Sequence, residues 1–190
     1  MENQLTPAQS LDVINQMVAQ AKRSFQRSNF FFLLWGVLLA TAGIADHYLR
    51  INGIQTKGAA WVIAGVIGGV VSTVYGYREG KKRGVSTVMD RVQSTIWGAF
   101  GITLVLVIIG TVSQRLDPNP FILLLTGLPT FTTGALIRFR PLLVGGVVFW
   151  AFGILSFFYL QEYSSLVFAG AIVLGYLIPG ILLRRHENGV

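Results

Sequence analysis

No cysteine occurs in the 190 residues. Disulfides, thiolate metal sites and cysteine nucleophiles are therefore excluded. Charge is scarce as well. Asp, Glu, Lys and Arg make up 12% of the chain, against about 25% in an ordinary soluble domain. The deficit is sharpest in the long apolar stretches, which hold no Asp, Glu, Lys, Arg or His apart from Asp46 and His47 at one end of the first. Proton relays and ion-coupled carriers place such groups in the hydrocarbon region. Intramembrane hydrolases need a nucleophile with a base or a set of metal ligands. Neither pattern is present. Asp46, His47, Asp117 and Glu162 have no ligand spacing, and Gly80 and Gly84 flank lysines rather than following a strand as a phosphate loop would. The expectation is a protein with no catalytic, cofactor-binding or metal-binding residues. The first 28 residues lack the apolar core of a cleavable signal, so the first span is expected to serve as the targeting signal.

What the chain does have is length of apolar sequence. Hydrophobic residues make up 53% of it, and the mean hydropathy is +0.61. Six runs stand out, at 29–49, 58–77, 94–113, 119–137, 141–160 and 165–183, each of 19 to 21 residues. About 20 residues at about 1.5 Å each cross a ~30 Å hydrocarbon core. The fold expected is an all-α polytopic membrane bundle, six transmembrane helices in three hairpins. Residues 1–28 form a cytoplasmic amphipathic helix, 29–183 the transmembrane domain and 184–190 a cytoplasmic tail.

The densest basic stretch, Arg78, Lys81, Lys82 and Arg83, separates the second and third runs and sets the topology. Twelve of the fifteen Lys and Arg residues then fall on one side, leaving Arg50, Lys57 and Arg115 on the other. The positive-inside rule puts both termini in the cytoplasm, and an even number of spans likewise puts both on one side. A net charge of +7 divided among membrane-proximal loops suits anionic lipid head groups rather than nucleic acid.

Three features carry functional possibilities. In the N-terminal helix, Thr6, Pro7 and Gln9 supply start signals, and Leu11, Ile14, Val18 and Phe25 share one face. That face suits either the membrane surface or a protein partner. In the second run, Gly65, Gly69, Thr73 and Gly76 form a small-residue stripe for close helix packing, within one bundle or in a homodimer. Gly36, Ala40 and Gly43 do likewise in the first run, and Ala171 and Gly175 in the sixth. The fourth run is interrupted by Thr126, Gly127, Pro129, Thr130, Thr133 and Gly134. Proline lacks an N–H and frees a carbonyl near mid-membrane. The result is either a kink or a broken-helix substrate site. Pro179-Gly180 is a second, weaker break. Trp35-Gly36 and Trp97-Gly98 open the first and third runs, a faint sign of an internal repeat.

The capped polar helix, the six spans and the segment Tyr176 to Gly180 together resemble a general type, the small uncharacterised multi-span proteins of bacterial inner membranes. The resemblance implies a multi-pass protein of the plasma membrane and no particular activity. The function expected is non-enzymatic, that of a partner-binding, accessory or regulatory subunit, as a homo-oligomer or with another protein. The alternative is a small uniporter or channel for a neutral solute, built on the broken fourth span.

Overall fold

A computed structural model describes residues 7–54, 58–81 and 88–188, and side chains within them except those of 7–28, 89, 183 and 185–188. The described chain is all-helical. Helix α1 (Pro7–Ile51) runs unbroken for 45 residues. The polar segment and the first span, expected as separate elements, are thus one rod. A change in polarity at Ser28-Asn29 does not interrupt backbone bonding, and no proline or glycine lies there. The helix stops at Gly53, whose φ of 72° lets Gly53 N–H bond to Arg50 O and Ile54 N–H to Leu49 O, each at 3.0 Å.

Helix α2 (Ala59–Lys81) extends one turn beyond the apolar run, carrying Arg78 and Lys81 into its last turn. Helix α3 (Val88–Ser113) begins ahead of its run, and α4 (Asn119–Leu136) and α5 (Arg140–Phe158) follow through short connections. A 3-10 turn (Gln161–Tyr163) leads into α6 (Ser164–Ile172), a π turn (Val173–Leu177) and α7 (Ile178–Asn188), which form one rod.

Five helices are long and apolar enough to cross a membrane: Asn29–Ile51 within α1, α2, Asp90–Ser113 within α3, α5, and Gln161–Leu182 in the last rod. Helix α4 is not among them, because its Pro, Gly and Thr residues lower its hydropathy. Yet α4 lies at the centre. Leu123, Thr126, Pro129, Thr130 and Thr133 are all buried, and α5 packs along its length. Leu142, Phe149, Phe168, Ile172 and Tyr176 complete the core with Phe32.

The helices are joined unevenly. Helix α1 packs on the last rod, where small residues allow close approach. A Cβ on Gly43 would lie 2.6 Å from Ser165 O, and one on Gly36 would lie 2.7 Å from Leu177 Cδ2. Among the described residues α2 leans chiefly on α1 and α3 chiefly on α4, and α2 and α3 hardly touch each other. The helices therefore form a horseshoe, closed at the α1–α6 seam and open between α2 and α3.

Candidate functional site

The break in α4 is sealed. The helix continues through Pro129, and Thr130 and Thr133 are fully buried. Thr126 Oγ1 donates to Ile122 O at 2.6 Å, Thr130 Oγ1 to Thr126 O at 2.8 Å and Thr132 Oγ1 to Leu128 O at 2.9 Å. Such bonds turn hydroxyls back onto their own helix and bend it. Gly127 is covered by the Trp150 ring, whose indole N–H reaches Leu124 O at 3.1 Å. Gly134 abuts Leu142 and Leu143 at the start of α5.

The second proline marks the larger departure from α-helix. Pro179 lacks the N–H that would bond to Gly175 O, and its ring would clash with that carbonyl. The backbone widens into the π turn just before it. Gly175 O then points at Gly145 of α5: a Cβ there would lie 2.6 Å away. π turns of this kind recur at functional positions. This one carries Tyr176, whose hydroxyl lies 3.4 Å from Thr130 Oγ1 and whose ring packs against Phe149 at 4.9 Å and Phe32 at 5.3 Å.

Tyr176 and Thr126 form the floor of a cleft of about 440 Å³ in the mouth of the horseshoe. Its α1 wall is Phe31, Phe32, Trp35 and Leu39. Its α3 wall is a single helical face whose residues change character with depth. Asp90, Gln93 and Ser94 come first, then Trp97 and Phe100, then Leu104. Ser72 completes it from α2. Two tryptophans brace the walls. Trp35 Nε1 donates to Ser72 Oγ, with Gly68 beneath the ring, and Trp97 Nε1 donates to Thr133 Oγ1, both at 3.1 Å. The cleft reaches Thr126, while Thr130 and Thr133 lie behind Tyr176 and Trp97. Sequence reasoning singled out Thr126 but passed over Asp90, Gln93 and Phe100 as site residues. Their common face on α3 was the available signal.

The other singled-out residues lie apart. Gly65, Gly69 and Gly76 have no atom within 4 Å of where a Cβ would stand, and Thr73 is exposed and bonded to Gly69 O at 2.8 Å. That stripe faces away from the rest of the described chain. Lys81 Nζ lies 4.7 Å above the Tyr77 ring in the last turn of α2, and Lys82 and Arg83 lie outside the described residues. The side chains of Leu11, Ile14, Val18 and Phe25 are also outside them. At the opposite end, Asp46 is buried. It accepts a bond from Ser165 Oγ at 2.7 Å and pairs with Arg50 at 3.1 Å, tying α1 to α6. Compared with known families, with curated proteins and with solved structures, the chain matches none.

Proposed function

We propose that the protein is a six-span membrane protein with both termini in the cytoplasm, acting without catalysis as a partner-binding, accessory or regulatory subunit. Helix α4 is counted as the sixth span. Its 18 residues reach about 27 Å, and it returns the chain between α3 and α5, both of membrane length. Its polar residues are enclosed by those neighbours, so low hydropathy is no obstacle to crossing. Six crossings agree with the basic residues, which on this reading lie near anionic lipid at the cytoplasmic face of a plasma membrane.

The observation that carries the partner-binding reading is the outer surface of α2 and α3. Only 11% and 6% of their apolar windows are buried, against 56% for the last span. On α2 this surface presents Gly65, Gly69 and Gly76, and on α3 Gly98 and Gly110, all with open space around them. In lipid, apolar area alone does not bring helices together, and small residues are the usual means of close approach. A second copy of the chain is the simplest occupant, and another membrane protein the next.

The test is Gly65→Leu with Gly69→Leu. Neither side chain meets a protein atom at its Cβ, so the fold is retained. Crosslinking in native membranes should recover several-fold less complex than with wild type. Equal recovery removes this surface from the proposal. The solute-carrier reading has less support, because the hydroxyls of α4 are bonded and enclosed. Saturable flux of a neutral solute through wild-type vesicles would reverse that preference.

A further inference from the structure

We propose that the cleft between α1, α2 and α3 binds an amphipathic organic cation, a quaternary or protonated amine on an elongated apolar body. This goes beyond the partner-binding reading, and binding by the isolated chain does not depend on it. Volume comes first: about 440 Å³ lies within the usual range of small-molecule sites, about 300–1,000 Å³. Charge comes second. Among the described residues, Asp90 is the one carboxylic acid in the wall, and no Lys, Arg or His lines it. Asp90 and Gln93 also have contacts within the chain, so a ligand head would share those groups.

Chemistry of the walls comes third. Aromatic rings attract cations through their faces, and they do so more strongly where water is excluded. Trp35, Phe31 and Phe32 face Trp97 and Phe100 across the cleft, with Tyr176 below. The Phe32 and Trp97 rings lie 6.1 Å apart, and those of Trp97 and Phe100 5.4 Å apart. Polarity along α3 fixes the direction. From Asp90 to Leu104 is 14 residues, about 21 Å of helix. The head would lie at the Asp90 end and the apolar body would run toward Leu104 and Leu39. Because α2 and α3 hardly touch, the body has a lateral path from the lipid.

The experiment uses the full chain in lipid nanodiscs and three probes with the same ten-carbon tail: decyltrimethylammonium, decyl sulfate and decyl maltoside. Trp35 and Trp97 report occupancy by fluorescence. The cation should give a saturable change absent from empty nanodiscs, at about tenfold lower concentration than either other probe. Asp90→Asn should weaken cation binding about tenfold. Asp90 lies in the first turn of α3, so a second variant guards against misfolding. Gly101→Leu fills the cleft from a position where a Cβ meets nothing within 4 Å, and it should abolish the saturable change while the protein stays folded. Equal affinity for all three probes, cation binding unchanged in either variant, or partition no greater than into empty nanodiscs would each overturn the proposal.

Discussion

Arg115 and Arg138 occupy positions where a helix usually ends on glycine. Their φ angles are 57° and 53°, a left-handed conformation that costs a residue with a Cβ about 1–2 kcal/mol. Each completes the same closing pattern. Leu116 N–H bonds to Thr111 O at 2.8 Å after α3, and Phe139 N–H to Gly134 O at 2.9 Å after α4. Arg115→Gly should therefore stabilise the protein by about 1 kcal/mol, read as a higher unfolding midpoint in detergent. On the proposed topology it also removes one of the few outer basic residues, so that topology should hold. These two caps were not legible in the sequence, because the usual glycine signal is missing and each arginine counted only as a charge. The prolines were legible as breaks but not in their ranking. Pro129 stands among threonines that bond back within α4, whereas Pro179 has no serine or threonine among its close sequence neighbours and the backbone itself gives way.

Helix α4 falls short of the hydropathy of the five spans, yet Leu123, Thr126, Pro129, Thr130 and Thr133 are enclosed by its neighbours. The two facts are linked, since a helix with hydroxyls and a proline is tolerated in a membrane where protein surrounds it. The Trp97–Thr133 bond fastens α3 to this centre, as Trp35–Ser72 fastens α2 to α1. Thr133→Val keeps the shape and leaves the indole N–H unpaired in a partly buried site. Stability should fall by about 1 kcal/mol, and α3, which leans chiefly on α4, should become the first helix to exchange its amide hydrogens. Uniform loss of protection across all helices would contradict that order. The two tryptophans reach partners 37 and 36 residues on. Helix positions were legible because membrane length and uncharged sequence leave few alternatives. Lateral order was not. Gly36 with Gly43 and Gly65 with Gly69 look alike in the sequence, yet one pair is pressed against α6 and the π turn while the other faces outward.

At the scale of the whole molecule, the proposed six-crossing topology predicts which surface each loop meets. The native chain has no cysteine, so single replacements report cleanly. Glu162→Cys, at an exposed position, should react only with reagent added outside, and Ser86→Cys only with reagent on the cytoplasmic side. Labelling of both from one side would end that topology. The longest rod adds a mechanical consequence. Forty-five residues make α1 about 68 Å long, more than twice the ~30 Å hydrocarbon core. Between Pro7 and Gly36 there is neither glycine nor proline to act as a joint. A grip on the aqueous end is thus a grip on a crankshaft: rotating or tilting that end carries Phe32 and Trp35 through the same angle. On the proposed topology, force applied in water reaches the aromatic wall at the start of the Asn29–Ile51 span without any intervening rearrangement.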